Sequence, residues 1–234
     1  MIDGWFKRHI DPLWEAAARP LVAAGLSANQ VTLIGLALIA ANSLAFLWHR
    51  STLWFGLGLA LSFAADALDG AVARLRGQSS MFGGYLDAMT DRYQELFVLL
   101  AIAVVSGQWL ASFLVLSGAF ITSYAKARTA IERPIDNVAW PDMFERLERI
   151  IYICAMLVLD GLAQSLLATK LVLVAGLWLL AVLTHATAIQ RMLRAGAMLR
   201  AGPAASRAAA EDVRNRAPTQ ESRAHPVPFE RDAL

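Results

Sequence analysis

Four carboxylates stand in one of the most apolar parts of the sequence, with a spacing that suits metal chemistry. Asp66 and Asp69 are three residues apart, and Asp87 and Asp91 are four apart. In helical conformation each pair shares one face of its helix, so two facing helices would bring all four side chains together. A carboxylate inside a lipid-spanning segment costs about 2.5 to 3.5 kcal/mol, so the cluster needs a compensating positive charge.

Divalent metal is the natural compensation for such a cluster. Mg²⁺, Mn²⁺ and Ca²⁺ prefer oxygen ligands, and Mg²⁺ is commonly shared between carboxylates and the phosphates of a substrate. The alternative interpretation is that these are solvated charges at helix ends. Gly70 and Gly83 argue against it, because small residues beside the acids let a ligand or a neighbouring backbone come close.

The composition is that of an integral membrane protein. Of 234 residues, 57% are hydrophobic and only 17% are charged, and the mean hydropathy is +0.48. The net charge of +2 hides an uneven distribution, with basic residues gathered in a few loops and near the C-terminus. Cys154 is the single cysteine, so no disulfide can form within the chain.

The sequence divides into three parts. Residues 1–24 mix aromatic and aliphatic side chains with cations, which is typical of an amphipathic helix at the membrane interface, and Pro12 is expected to interrupt this helix. Residues 25–194 are expected to form a six-helix transmembrane catalytic domain. Residues 195–234 are rich in Ala, Arg, Pro and Glu and are expected to be a disordered cytoplasmic tail.

Six apolar segments each approach the roughly 20 residues needed to cross a bilayer. Their approximate spans are 30–48, 53–75, 84–105, 109–127, 149–167 and 170–191. The expected fold is an all-α integral membrane protein with six transmembrane helices plus an N-terminal interfacial amphipathic helix. The loops after the second, fourth and sixth spans are the basic ones, so the positive-inside rule places both termini and the acidic cluster on the cytoplasmic side.

The acidic stretch resembles the signature of the CDP-alcohol phosphatidyltransferase family. The pattern D-x2-D-G-x2-A-R-x8-G-x3-D-x3-D is filled at every fixed position, by Asp66, Asp69, Gly70, Ala73, Arg74, Gly83, Asp87 and Asp91. The resemblance also covers the interfacial helix, the entry to the first span at residues 27–32 and the six spans, and it leaves out the tail.

This resemblance implies transfer of a phosphatidyl group from CDP-diacylglycerol to an alcohol, with release of CMP. It also implies that Asp66, Asp69 and Asp87 hold one or two Mg²⁺ or Mn²⁺ ions, and that Asp91 takes the proton of the incoming hydroxyl while sharing in the metal shell. The chemistry of the cluster agrees, because phosphoryl transfer needs charge neutralisation on the diphosphate and a base near the attacking hydroxyl.

Recognition of the CDP-lipid, again by resemblance, is assigned to two short segments. The residues are Asn29, Gln30, Val31, Thr32, Gly70, Arg74 and Ser80. Gly70 allows close approach of a ligand to the backbone, and Arg74 offers a fork for phosphate or base oxygens. Arg74 also fits as a topology-setting cation, and Gln30 and Ser80 also fit as helix caps.

A second set of polar residues, mostly cations, predicts a pocket for an acceptor that carries its own phosphate. The candidates are Ser123, Lys126, Arg128, Arg146, Arg149 and Arg191. The Ser-Tyr-x-Lys-Ala-Arg and Glu-Arg-x-x-Arg elements are similar to the family branch that makes phosphatidylinositol phosphate from inositol 1-phosphate. Related elements occur in the glycerol-phosphate branch, and the loop from Thr129 to Phe144 departs from the expected glycine-rich connection. The alternative is that these cations only set topology and bind lipid headgroups.

Two other functions remain open at this point. One is phosphatidylglycerophosphate synthesis, with glycerol 3-phosphate as acceptor. The other is cation transport, since intramembrane carboxylates also line ion pathways, although the acids gather at one face and no inverted repeat is evident. The resemblance implies a homodimer in the inner membrane of the cell, with Gly56, Gly58 and Gly118 as candidate contact points and no nucleic-acid partner.

Overall fold

The structure is a computed structural model that describes residues 3–132, 144–169 and 171–200. Those residues form helices and no strand. The helices are α1 (Asp3–Ala23), α2 (Ala28–His49), α3 (Thr52–Asp66), α4 (Leu68–Arg76), α5 (Met81–Ser106), α6 (Trp109–Glu132), α7 (Arg146–Leu167) and α8 (Leu171–Arg200). The expected all-α fold is confirmed.

Five segments of the described chain are long and apolar enough to cross a membrane. They are Ala28–His49, Thr52–Arg76, Trp109–Glu132, Arg146–Leu167 and Leu171–Arg200. The second of these joins α3 to α4, and all five coincide with expected spans. The protein is therefore an all-α membrane protein.

Helix α5 covers the remaining expected span, at 84–105. Its 26 residues are enough to cross a bilayer. Its first half carries four charged residues, Asp87, Asp91, Arg92 and Glu95, and α5 is not among the five candidate spans. A count of six transmembrane helices stays a prediction that depends on this helix.

Capping residues fix where α2 and α5 begin. The Ser27 hydroxyl accepts a hydrogen bond from Gln30 N, and the Gln30 side chain accepts one from Ser27 N at 2.9 Å, which completes a capping box. At α5, the Ser80 hydroxyl accepts from Gly83 N at 3.0 Å. The two caps therefore fix where α2 and α5 begin, and with that the positions of the polar side chains in their first turns.

Helix α1 runs from Asp3 to Ala23 without the interruption expected at Pro12. Proline removes one backbone donor and strains the preceding turn. The second half of α1 is held in place by packing, because Ala18 is fully buried in a cluster with Val31 and Ala71 of the neighbouring helices. This contact keeps the helix continuous past the proline.

The main core is formed by large apolar side chains of α2, α3, α5, α7 and α8. At its centre, the rings of Phe46 and Phe55 stack with their centroids 4.1 Å apart. Ile102, Leu157 and Leu177 are fully buried around them. This core fixes α2 and α3 against α5 and α7, the helices that carry the acidic cluster and part of the predicted cationic set.

The glycines proposed as dimer contact points lie instead at helix contacts within the chain. The neighbours that an added Cβ would meet are Leu157 at Gly56, Asn42 at Gly58 and Thr184 at Gly118, at 2.9, 2.7 and 2.6 Å. Such distances are shorter than ordinary van der Waals contacts. The small size of these residues is therefore used for packing inside one protomer.

The chain divides into two compact units, residues 1–192 and 193–234. In the second unit, residues 193–200 are described and are helical, so the expected disordered tail does not begin at residue 195. Residues 201–234 of that tail lie outside the described residues. The same holds for 133–143 of the loop before α7 and for Lys170.

Asp160 of α7 is fully buried and joins three helices at the end of α3 opposite Asp66. Its Oδ2 accepts hydrogen bonds from Thr52 Oγ1 at 3.0 Å and from Gln164 Nε2 at 2.5 Å, and its Oδ1 accepts from Leu173 N at 3.0 Å. Leu173 N belongs to the first turn of α8, whose donors have no partner inside the helix. One carboxylate thus fixes the start of both α3 and α8.

The substitution Asp160→Leu removes the acceptor of three donors, of which Thr52 Oγ1 and Leu173 N are buried. Each buried donor left unpaired costs about 1 to 3 kcal/mol, so the free energy of unfolding should fall by about 3 kcal/mol or more. Thermal unfolding of the detergent-purified protein measures the loss. Leu159→Ala is the control, since Leu159 is 57% exposed beside it and should leave the midpoint almost unchanged. An Asp160→Leu protein as stable as the wild type would contradict this role.

Candidate active site

The carboxylates of Asp66 and Asp69 lie on either side of a break in the second apolar span. Helix α3 ends at Asp66 and α4 begins at Leu68, with Ala67 between them at φ −60° and ψ −9°. Asp66 is 5% exposed, whereas Asp69 is half-buried and accepts a hydrogen bond from Thr32 Oγ1 at 2.6 Å. One carboxylate therefore enters the bundle while the other contacts the start of α2.

Gly35 of α2 lets the Asp66 side chain lie against the helix backbone. A Cβ at position 35 would come within 2.3 Å of Asp66 Oδ1, far inside the distance at which carbon and oxygen atoms repel. Any other residue would displace the carboxylate. The position of Asp66 therefore depends on a glycine in the facing helix.

Arg146, the first residue of α7, lies between Asp66 and Asp91. Its Nη2 atom is 2.6 Å from Asp91 Oδ1 and 3.5 Å from Asp66 Oδ2, and its guanidinium carbon is 5.9 Å from the centre of the Phe63 ring. Gln94 Nε2 donates to Asp66 Oδ1 at 2.9 Å, and Gln94 Oε1 accepts from Arg146 Nη2 at 2.5 Å. One guanidinium thus supplies the positive charge for two buried carboxylates.

Arg92 and Glu95 of α5 form a second buried charge group with α6 and α7. Arg149 Nη2 is 2.7 Å from Glu95 Oε1, and Arg92 Nε is 3.5 Å from Glu95 Oε2. Arg92 also donates to Ser123 Oγ and lies 3.7 Å from Asp91 Oδ2. This group ties α5 to α6 and α7 right beside Asp91.

The four carboxylates fit a divalent ion by their chemistry, and Arg146 occupies the space between two of them. Asp66, Asp69, Asp87 and Asp91 offer only oxygen ligands, and Asp91 Oδ1 is buried with no hydrogen bond despite its ion pair with Arg146. Within the described ranges, no three Asp, Glu, His or Cys side chains lie close enough to share one ion. The oxygen-only donor set therefore fits a divalent ion, and Arg146 is the cation that contacts Asp66 and Asp91 here.

A cavity of about 240 Å³ opens beside the carboxylates, between the starts of α2 and α5 and the helix α4. Its polar lining includes Asn29, Thr32, Asp69, Ser80 and Asp87. Gly83 lets the walls approach, since a Cβ there would be 3.1 Å from Ser80 Oγ and 3.2 Å from Asn29 Oδ1. Two carboxylates thus share a cavity with amide and hydroxyl groups, which suits a polar, phosphate-bearing ligand.

Only some of the residues predicted to bind the CDP-lipid line this cavity. Asn29, Thr32, Gly70 and Ser80 line the cavity. The Gln30 side chain caps α2 at Ser27, and Val31 is 3% exposed among side chains of α1 and α4, so both lie away from the lining. The Arg74 guanidinium lies over Gly70, 3.5 Å from where a Cβ of that glycine would stand.

The residues predicted to bind an acceptor phosphate are also divided. Arg146 contacts the acidic cluster, whereas Ser123 and Arg149 belong to the second charge group. Arg191 is 6% exposed and its Nη1 donates to the carbonyl oxygen of Thr122 at 2.7 Å. These residues belong to α6, α7 and α8, and their grouping into one acceptor pocket stays a prediction.

Lys126 and Arg128 take different positions on α6. Lys126 is half-buried, three residues after Ser123 and therefore on the same face of the helix. Arg128 pairs with Glu132 at 2.6 Å, and both side chains are about half exposed. The Arg128 side chain is therefore half exposed and paired within its own helix. Its role in an acceptor site stays a prediction.

Gly35, Arg92, Gln94 and Glu95 take part in the site although the sequence analysis did not select them. A signal existed for Glu95, which continues the four-residue spacing of Asp87 and Asp91 along α5. Polar residues inside an apolar span commonly mark buried or functional positions. Gly35 carried no such signal, because glycine is frequent in transmembrane helices.

Comparison with known proteins gives one consistent result. A family model described as CDP-alcohol phosphatidyltransferase matches residues 26–184. The archaetidylinositol phosphate synthase of Pyrococcus horikoshii is 33% identical over 189 residues, which cover 80% of this chain and 93% of that protein. The phosphatidylinositol phosphate synthase of Streptomyces avermitilis is 29% identical over 186 residues, covering 74% of this chain and 73% of that protein.

Solved structures of the phosphatidylinositol phosphate synthase of Mycobacterium tuberculosis have a similar fold. The structure with CDP-DAG bound gives a TM-score of 0.68 at 27% identity, over 79% of this chain and 94% of that chain. The structure in complex with manganese and citrate gives a TM-score of 0.69 at 26% identity, over 78% and 88%. Sequence and fold therefore agree over most of the chain.

The buried pair of Arg149 and Glu95 is expected to hold α5 to α7. Removing one partner of a buried ion pair costs about 3 to 5 kcal/mol when the other charge is left without a partner. Arg92 still lies 3.5 Å from Glu95, so a loss of about 3 kcal/mol is expected here. Arg149→Met should lower the free energy of unfolding by this amount, and adding Glu95→Leu should recover most of the loss. Thermal unfolding in detergent measures both.

Arg128→Met serves as the matched control, since exposed pairs such as Arg128 with Glu132 contribute about 0 to 1 kcal/mol. A fully stable Arg149→Met protein would show that Arg149 is available for a ligand rather than needed by the fold.

Proposed function

This chain belongs to the CDP-alcohol phosphatidyltransferase family and is an enzyme of that family, and we propose that it transfers the phosphatidyl group of CDP-diacylglycerol to inositol 1-phosphate. The observation that carries the proposal is the contact of Arg146 with Asp91, at 2.6 Å. A carboxylate that can take the proton of a hydroxyl thus stands beside a cation that can bind an acceptor phosphate. Family membership also removes the cation-transport alternative.

The donor is assigned to the cavity between α2, α4 and α5. Asn29, Ser80 and the glycines of the signature line it, and Asp69 and Asp87 open into it. The CDP-DAG bound to the mycobacterial synthase supports the same class of donor here. Arg74, whose guanidinium lies over Gly70, is assigned contacts with phosphate or cytosine oxygens.

Asp91 is assigned the proton of the attacking hydroxyl. In the reaction, the acceptor oxygen forms a bond to the lipid-linked phosphorus, the bond from that phosphorus to the CMP oxygen breaks, and CMP leaves. Asp91 lies deep in α5, 9% exposed, so bulk water is kept from the reacting phosphorus. Arg146 would hold the acceptor phosphate so that the hydroxyl faces Asp91.

The metal ligands are assigned to Asp66, Asp69, Asp87 and Asp91, holding one or two Mg²⁺ or Mn²⁺ ions. When bound, such an ion neutralises charge on the diphosphate and stabilises the leaving group. The manganese in the mycobacterial synthase supports use of a divalent ion. Arg146 contributes to the charge balance of Asp66 and Asp91.

The acceptor assignment is supported by the relatives and by the cations on α6 to α8. Archaetidylinositol phosphate and phosphatidylinositol phosphate synthases occur repeatedly among the similar proteins. Arg146, Lys126 and Arg191 are the candidate phosphate ligands, and a phosphorylated polyol needs several such groups. Neutral or zwitterionic acceptors such as serine would not need them.

We infer that the site lies at the cytoplasmic face of the inner membrane. The acidic cluster flanks the loop after the second span, and the loops after the second, fourth and sixth spans are the basic ones. The resemblance to the family supports a homodimer. Its contact surface must lie elsewhere than at Gly56, Gly58 and Gly118, which are occupied within the protomer.

Acceptor choice is tested by CMP release from CDP-diacylglycerol by the purified protein with Mg²⁺ or Mn²⁺. Inositol 1-phosphate, glycerol 3-phosphate, serine and no acceptor are compared. Release is expected with inositol 1-phosphate alone, and chelation of the metal should abolish it. Asp91→Asn should lower the rate about 100- to 10,000-fold, as expected for loss of a general base.

The alternatives give distinct results in the same assay. Release with glycerol 3-phosphate alone would keep the chemistry and replace the acceptor. Full activity after chelation would remove the metal from the mechanism, and full activity of Asp91→Asn would remove Asp91 as base.

Arg146→Gln tests the acceptor phosphate site. Loss of a charged hydrogen bond worth about 1.5 to 3 kcal/mol should lower kcat/KM for inositol 1-phosphate about 10- to 100-fold. Arg50→Gln is the control, because Arg50 is exposed at the far end of α2. Arg128→Gln tests whether Arg128 belongs to the site. A loss of kcat/KM equal to that of Arg146→Gln would place Arg128 in the site despite its pair with Glu132.

A further inference from the structure

Gln94 connects the two halves of the proposed site through one side chain. It is fully buried, 0% exposed, and lies three residues after Asp91 on α5. Its amide nitrogen donates to Asp66 Oδ1 at 2.9 Å, and its amide oxygen accepts from Arg146 Nη2 at 2.5 Å. Asp66 belongs to the metal and donor side of the site and Arg146 to the acceptor side.

The chemistry of these two neighbours requires a primary amide. An ionised carboxylate such as Asp66 needs a donor, whereas a guanidinium such as Arg146 needs an acceptor. Glutamate would offer no donor, methionine would offer neither group, and asparagine would be one methylene shorter. The two neighbours also fix which way the Gln94 amide points.

Arg146 is held from more than one side. Gln94 Oε1 contacts one Nη atom, and the ring of Phe63 lies under the guanidinium at 5.9 Å. A guanidinium carries five N–H donors, so it can keep the Gln94 hydrogen bond while others bind phosphate oxygens. Exchange of a carboxylate for a phosphate then needs no loss of this anchor.

We propose that Gln94 is a positioning residue that couples the two substrate sites, orienting Asp66 for the CDP-lipid and Arg146 for the phosphate of the acceptor. This inference rests on the proposed function. It assigns to Gln94 an effect on acceptor binding, although Gln94 itself touches neither substrate. A purely structural glutamine would have no such effect.

Gln164 provides a matched comparison within the same chain. Its amide nitrogen donates to Asp160 Oδ2 at 2.5 Å, so it too serves a buried carboxylate. Asp160 lies at the opposite end of α3 from Asp66 and bonds to helix starts. Gln164→Met therefore removes a similar hydrogen bond where no substrate is proposed to bind.

The experiment compares Gln94→Met, Gln94→Glu and Gln164→Met in three measurements. These are thermal unfolding in detergent, kcat and KM for inositol 1-phosphate, and calorimetric titration with inorganic phosphate in the absence of CDP-lipid. Gln94→Met should raise the KM for inositol 1-phosphate and weaken phosphate binding about tenfold, the usual effect of one lost charged hydrogen bond. Gln94→Glu keeps an acceptor for Arg146, so its phosphate affinity should fall between those of Gln94→Met and the wild type.

Gln164→Met should lose thermal stability by about as much as Gln94→Met, with both kinetic constants unchanged. The proposal is overturned if the two methionine variants lose stability alike and both keep wild-type KM and phosphate affinity. If the wild type transfers nothing to inositol 1-phosphate, the proposed function fails. Weaker phosphate binding by Gln94→Met would still support the coupling, and unchanged phosphate binding would overturn it.

Discussion

The arrangement of the site depends on the charge balance between Arg146 and the carboxylates of Asp66 and Asp91. Two ionised carboxylates 5% and 9% exposed cannot stand together in a bilayer protein without a cation between them. Arg146 meets that need from the first residue of α7, and so the end of α3, the middle of α5 and the start of α7 converge on one guanidinium. In the proposed reaction, metal binding would compete for the two carboxylates and acceptor binding would compete for Arg146, so both would act on this balance.

Helix α5 carries most of the polar groups that this balance requires. Asp91, Arg92, Gln94 and Glu95 occupy little more than one turn of it, and their partners lie on α3, α6 and α7. The polar face of α5 is therefore covered by protein and not by lipid, which makes a charged helix tolerable at this depth. The same residues concentrate charge in the first half of α5, whereas its second half is apolar.

The acidic cluster and the family could be predicted from the sequence, because the spacing of the carboxylates and glycines is strict. The all-α membrane fold could be predicted as well, because long apolar segments recur along the chain. It was not sufficient for residues whose role depends on which helices face each other. Gly35 is important because the Asp66 side chain lies against it, a contact that the sequence does not reveal. Arg149 was predicted as a phosphate ligand, but its guanidinium pairs with Glu95. Val31 was selected by its place in a motif, yet the direction of its side chain is set by packing against α1.

Helix α7 is fixed near both of its ends by buried charges, by Arg146 and Arg149 at its start and by Asp160 fourteen residues further on, about 21 Å along the axis. A helix tied at two such points can neither slide nor rotate without breaking buried ion pairs and hydrogen bonds. The start of α7 therefore presents Arg146 at a fixed depth and orientation, whichever side chains the neighbouring helices carry.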